Sequence, residues 1–290
     1  MPAPPVILPD PPAPPEPLGL IAAGGRLPVL VAHGIRRAGH PVCCIGMAGQ
    51  YPDELPALCD RFREVGAFRF GQWIRTLRRF GVRYAVMVGR VDKAQLLHRW
   101  AAIIRGLPDL RAIRAYLRYR WDRRSHIILA HIARELASDG ILLIDSTTHI
   151  PEHMADAGPM TERRPSAAQQ ADIDFGWPIL EEILRLDVGQ AIAVRGLDVI
   201  AVEAIEGTDR MMERAGAMCA AGWTLLKAAR VGHDRRSDVP VIGPDTITNL
   251  HKAGGRCIAL AAGDVIIIDK PQTIALADRL GVSVVGVPGA

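Results

Sequence analysis

At 290 residues, 49% of them hydrophobic and 23% charged, the chain has material for two cores of ordinary size. A formal net charge of +4 falls short of the dense basic face of a nucleic-acid binder, so nucleic acid is not expected as a partner. The 5 cysteines, at positions 43, 44, 59, 219 and 257, form no C-x-x-C and are odd in number, so neither a disulfide framework nor a zinc site is indicated and a reducing, intracellular setting is expected.

Residues 1–17 (MPAPPVILPDPPAPPEP) lack the charged and apolar regions of a signal peptide, and their prolines predict an extended tail. No apolar run approaches the roughly 18–20 residues of a membrane span. A strand is expected at Leu18–Ala22, a turn at Gly24-Gly25 and a helix over Leu27–Ala38 with Leu27, Leu30, Val31 and Ile35 on one face. A strand at His40–Ile45, a helix at Gln72–Phe80 and a strand at Arg83–Val88 continue the alternation that implies a parallel sheet. Three helices follow at Lys93–Arg105, Leu110–Trp121 and His126–Ala137, then a strand at Ile141–Ile144. Residues 145–176, polar and irregular, are taken as the crossing between domains.

The second half restarts with a helix at Pro178–Leu186 and a hairpin of Ala191–Val194 and Val199–Val202 around Gly196. Helices at Met211–Cys219, Ile247–Lys252 and Pro271–Leu280 alternate with strands at Thr224–Leu226, Cys257–Leu260, Val265–Ile268 and Val282–Val285. The expected fold class is α/β: a Rossmann-like parallel sheet over 18–150 and a mixed α/β sheet over 151–290, with a cleft between the domains.

The most informative stretch is Ala201–Asp209, where an apolar run ends in Glu203, Glu206, Gly207, Thr208 and Asp209 before a helical pattern. Backbone N–H groups at a helix start attract anions, and acids beside them suit a divalent cation. Thr208 also reads as a helix N-cap, which accounts for Thr208 and Asp209 but not for the preceding acids. Asp234, Arg236 and Asp238 alternate; in an extended segment they would point one way and join two carboxylates to a guanidinium. Such a set serves metal-assisted phosphate chemistry, or forms a surface salt-bridge loop.

Gly24-Gly25 and Gly89-Arg90 each follow a strand. Ligands of open parallel sheets sit beyond the strands' carboxyl ends, so both turns are candidates to line one crevice; tight turns without a ligand are the plainer reading. Neither is a dinucleotide fingerprint or a Walker A loop. Arg111, Arg114, Arg118, Arg120, Arg123 and Arg124 form a basic run, read as a solvated face or as a contact with an anionic membrane surface. No histidine pair has metal-ligand spacing.

Four separated segments carry a family resemblance: Gly19–Pro28, Leu186-Asp187-Val188-Gly189-Gln190, Ala201–Asp209 and Arg236-Ser237-Asp238-Val239-Pro240-Val241-Ile242-Gly243. In these, and in their order from about Leu18 to Val287, the chain resembles the UDP-2,3-diacylglucosamine pyrophosphatases of the LpxI type. The resemblance implies Mg²⁺-dependent cleavage of a UDP-linked diacylated glucosamine to UMP and the diacyl sugar 1-phosphate, an early step of lipid A synthesis. It also implies that water attacks the phosphorus nearer the sugar and that the family's essential aspartate falls on Asp238. Two departures are visible. Arg124-Ser125-His126 stands where the family has Gly-Asp-Asp, and Arg230, Val231 and His233 replace residues of the motif around Asp234 and Arg236.

The expectation is a cytoplasmic hydrolase acting on a UDP-linked acylated sugar, peripheral to the inner membrane, with homo-oligomerisation left open. Asp238, Arg236 and Asp234 are the expected catalytic residues, and Asp238, Glu203 and Glu206 the expected Mg²⁺ ligands. Substrate is assigned to Gly24, Gly25, Gly89, Arg90, Lys227, Gly207, Thr208, Asp209 and Thr246. A non-catalytic nucleotide–lipid binder is the alternative, motivated by Ser125-His126; a nicotinamide-dependent oxidoreductase rests only on the α/β pattern.

Overall fold

The structure, a computed structural model, describes residues 8–90, 108–119, 125–219, 221–230, 232–236 and 239–289. The expected helix over 93–105, and Asp238, lie outside them. The described chain separates into two compact units. One is built from residues up to Ile150 together with 234–236; the other takes Pro151–His233 and the chain from Val239 onward. The segment 234–236 thus groups with the N-terminal unit, inside the range 151–290 expected for the C-terminal domain.

The N-terminal unit is a parallel five-stranded sheet, β1 (Leu18–Ala22), β2 (Val42–Met47), β3 (Arg61–Val65), β4 (Tyr84–Val88) and β5 (Leu142–Leu143), in the order β3-β2-β1-β4-β5. Its central strand, LGLIA, is buried along its whole length, as an unbroken apolar run requires when both faces of a parallel sheet are covered. Leu18 stands between Val42 and Tyr84 and Ala22 between Gly46 and Val88, so β1, β2 and β4 run in register to one carboxyl edge.

Strand β3 was missed in the sequence. Its RFREV pattern is mostly exposed because it is the sheet's edge, and an edge strand carries no continuous apolar signal. Helix Phe70–Arg79 covers one face with Phe70, Trp73, Ile74 and Leu77, and Trp73 Nε1 donates to Gly66 O at 2.8 Å. The end of the proline-rich tail is tied down: Arg83 Nε reaches Glu16 Oε1 at 2.9 Å, and His40 Nδ1 lies 2.8 Å from Glu16 O.

The C-terminal unit is a mixed six-stranded sheet in the order β6-β13-β11-β9-β7-β8. Its strands are β6 (Gly158–Pro159), β7 (Ala191–Val194), β8 (Val199–Val202), β9 (Thr224–Lys227), β11 (Cys257–Ala261) and β13 (Ser283–Val287), while β10 (Val241–Ile242) and β12 (Ile266–Ile267) pair separately. Strands β9, β11 and β13 are parallel; β7 and β8 are the expected hairpin, turned by Gly196 (φ 59°) and Leu197 (φ 60°).

One expected boundary is corrected. The helix read from Pro178 starts at Ala167 and runs to Arg185, so Pro178 is interior rather than at its first turn, and part of the supposed crossing is helical. The true start carries a capping box: Ser166 Oγ accepts from Gln169 N at 3.3 Å, and Gln169 Oε1 accepts from Ser166 N at 2.9 Å.

Candidate active site

Three segments follow strands of the N-terminal sheet on its carboxyl side. Gly24 and Arg90 form a small antiparallel bridge, Gly24 N donating to Arg90 O at 3.1 Å and Arg90 N to Gly24 O at 2.9 Å. The two glycine turns proposed from sequence are therefore hydrogen-bonded to one another beyond β1 and β4. Gly89 is required there: its φ is +102°, and a side chain's Cβ would stand 2.8 Å from the Ala23 carbonyl carbon.

Asp145, directly after the apolar strand at Ile141–Ile144, anchors the third segment. Its Oδ1 accepts from Thr147 N (2.8 Å) and Thr147 Oγ1 (2.7 Å), and its Oδ2 accepts from Arg235 Nε at 2.7 Å. Arg235 also donates from Nη2 to Thr147 Oγ1 at 2.8 Å, while its carbonyl takes Ser146 N (3.0 Å) and Ser146 Oγ (2.8 Å). This network fastens 234–236, from the far half of the chain, to the end of β5. Arg236 then forms a two-point ion pair with Asp234, Nε to Oδ1 at 2.7 Å and Nη2 to Oδ2 at 2.6 Å. Residues 235–236 form a turn rather than an extended strand, so Arg235 is aimed at the sheet while Asp234 and Arg236 hold one another.

Sequence reasoning passed over Asp145, Thr147 and Arg235. The available signal was an Asp-Ser-Thr-Thr run at a strand's carboxyl end, and the assumption of an extended segment hid Arg235.

A second polar cluster lies within the C-terminal unit. Lys227, at the end of β9, is 6% exposed and donates to Thr208 Oγ1 at 2.7 Å; Thr208 in turn donates to Glu203 Oε1 at 3.0 Å. Burial pushes the Lys227 ammonium below the ordinary lysine value, while the Glu203 and Asp209 carboxylates pull it back up. Thr208 is therefore a link between acid and base and not an N-cap. The cap position is Gly207, whose φ of 84° suits glycine and which offers no side-chain bond. Glu203 Oε2 and the nearby Gln190 Oε1 are buried acceptors with no hydrogen-bond donor among the described residues, the situation that a substrate hydroxyl, an amide N–H or a water relieves.

The remaining assigned residues have other partners. Glu206 pairs with Arg214 at 2.5 Å and accepts from Ala204 N, Asp209 Oδ1 accepts from Asn249 Nδ2 at 3.1 Å, and Thr246 Oγ1 accepts from Gly243 N at 3.2 Å. Glu203 and Glu206, both expected on Mg²⁺, thus turn to separate contacts. Among the described residues no group of three or more His, Cys, Asp or Glu side chains is placed to hold a metal ion. In the basic run, Arg111 is engaged by Asp139 and Glu135, and the side chains of Arg118, Arg120, Arg123 and Arg124 lie outside the described residues.

The same two-unit order is that of a known family. The LpxI N-terminal domain model matches residues 17–153 and the LpxI C-terminal domain model residues 156–285. The chain belongs to the LpxI family. It is 31% identical over 283 residues to the UDP-2,3-diacylglucosamine pyrophosphatase LpxI of Caulobacter vibrioides, a match covering 93% of this chain and 97% of that protein. The LpxI domain boundary falls at 153–156, beside the break at Ile150/Pro151, whereas 234–236 is reached only by the chain's return to the first unit.

Proposed function

We propose that this LpxI-family protein is an enzyme that hydrolyses the diphosphate of UDP-2,3-diacylglucosamine to UMP and 2,3-diacylglucosamine 1-phosphate in lipid A synthesis. The named activity of the Caulobacter relative supports the substrate class. The observation that carries the site is the return of Asp234–Arg236 to the carboxyl edge of the N-terminal sheet, where Arg235 is locked to Asp145. A water oxygen bonds to phosphorus, the P–O–P bridge breaks, and UMP departs with the bridging oxygen. Guanidinium groups at Arg90 and Arg236 offset charge on the transferring phosphoryl group. The two-point pair with Asp234 uses Nε and Nη2 of Arg236 and leaves its other N–H groups for phosphoryl oxygens.

We propose Mg²⁺ as the cofactor. This ion is commonly held by one or two carboxylates plus the phosphates of its substrate, so it needs no three-carboxylate cage, and the described residues hold none. Asp238 is the expected ligand. Bound Mg²⁺ would neutralise diphosphate oxygens as the bond breaks. A diacylated substrate resides in a bilayer leaflet, so contact with the inner-membrane surface belongs to the same reading. Purified protein should release UMP from the diacylated substrate in a Mg²⁺-dependent manner, and Asp238→Ala should abolish release while circular dichroism stays unchanged. Ligand-induced thermal stabilisation without turnover, at any metal concentration, would overturn the hydrolase in favour of a binder.

A further inference from the structure

Beside helix Phe70–Arg79, at the β3 edge of the N-terminal sheet, lies a groove of about 460 Å³ lined by Arg63, Arg69, Arg75 and Arg79 together with Pro108 and Asp109. The carboxylate that lines it among the described residues is already committed: Asp109 Oδ2 accepts from Gly71 N at 2.6 Å and Oδ1 from Ala112 N at 3.0 Å. Arg63, Arg75 and Arg79 make no ion pair among the described residues. Arg75 and Arg79 are also stacked one turn apart, a like-charge spacing that weakens a helix. Such a cluster does not stabilise the fold, and it suits anionic phosphate groups.

An apolar rim adjoins it. Asp109 N donates to Phe68 O at 3.1 Å, which sets Phe68 beside the start of helix Leu110–Tyr119. Phe68 is 45% exposed, and along that helix Leu110 (74%), Ile113 (40%) and Leu117 (55%) form an exposed stripe at i, i+3, i+7. A soluble anion has no use for such a stripe, and a second copy of the chain would set guanidinium against guanidinium. Basic side chains alongside a strip of exposed apolar ones match the interface of an anionic bilayer, with its phosphates outside and acyl chains beneath.

We propose that this face docks the protein on an anionic phospholipid bilayer, headgroup phosphates entering the arginine groove while Phe68 and the Leu110–Leu117 stripe enter the interface. The inference deepens the functional reading, since it says where a lipid hydrolase meets its leaflet, but it rests on different residues from the diphosphate site. Arg111, of the basic run Arg111–Arg124, pairs with Asp139 and Glu135, so this face draws its charge from other arginines.

The test is flotation of the full chain with vesicles of phosphatidylethanolamine and phosphatidylglycerol, against vesicles of phosphatidylcholine alone. Anionic vesicles should bind the protein, and Arg63→Gln/Arg75→Gln/Arg79→Gln should weaken binding roughly 100-fold, about fivefold for each charge removed. Leu110→Ser/Leu117→Ser should weaken the binding that survives high salt. An Arg37→Gln/Arg164→Gln/Arg279→Gln control, equal in charge change, should lose far less. Equal losses in both triple variants, equal binding to the neutral vesicles, or binding of inorganic tripolyphosphate without any of vesicles overturns the docking face. UMP release from substrate in detergent micelles should be unaffected by the groove variant. Docking that fails while that release persists refutes this inference alone; docking that persists without release refutes the hydrolase alone.

Discussion

Acid should loosen the N-terminal unit through one buried imidazole. His149 is 8% exposed, its Nδ1 has no partner among the described residues, and its ring meets that of His40 edge-on at 5.6 Å. Burial, with a smaller contribution from His40, pushes its pKa down to about 4 from the ordinary 6.5. The neutral ring is thus the native form, and the unfolded chain takes up the proton first. Stability from this group is complete above about pH 6.5, declines as pH falls toward 4, and declines no further below that. The full span corresponds to about 3 kcal/mol, and partial hydration on protonation brings the expectation to roughly 2–3 kcal/mol.

Urea unfolding followed by circular dichroism between pH 7.5 and 4.5 measures it, with His149→Gln as the reference so that carboxylate titrations cancel. The wild type should lose up to about 1.4 kcal/mol per pH unit more than the variant inside that window. Parallel stability profiles for the two proteins, or a wild type more resistant at pH 5 than at pH 7, would refute the assignment of a neutral buried imidazole.

Four further outcomes are expected. Arg235→Ala, which frees 234–236 from Asp145 and Thr147, should lower kcat/KM at least 100-fold while thermal melting shifts only modestly; Arg235→Lys should not restore activity, because one ammonium does not reproduce the Nε and Nη2 contacts. Thr208→Val breaks the Lys227–Thr208–Glu203 chain and should cost about 2–3 kcal/mol in urea unfolding, with Thr208→Ser close to wild type. Gly34→Ala would place a Cβ 1.8 Å from His149 O, so soluble yield or stability should fall by the equivalent of about 3 kcal/mol or more, read by denaturation. Ser166→Ala removes a helix cap and should cost about 1 kcal/mol by the same measurement, without changing the rate of UMP release.

The apolar runs at Leu18–Ala22 and Tyr84–Val88, the alternation of strand and helix, and the glycine turns at 24–25 and 89 dictated a parallel α/β unit from sequence alone, because both faces of such a sheet must be apolar and its turns need glycine. The hairpin at 191–202 and the acidic approach to Thr208 were legible for the same local reasons. Edge strand β3 was not, since exposure erases its pattern, and the helix start at Ser166 was masked by Pro178, which reads as a first-turn residue but is interior. Residue types and local periodicity fix what each segment prefers. They do not say that Arg235 leaves its neighbours to pair with Asp145 across 90 residues of chain, that Thr208 joins Lys227 to Glu203, or that Arg63 and Arg79 share a groove. Those pairings depend on which surfaces tertiary packing brings together, and only the folded chain decides that.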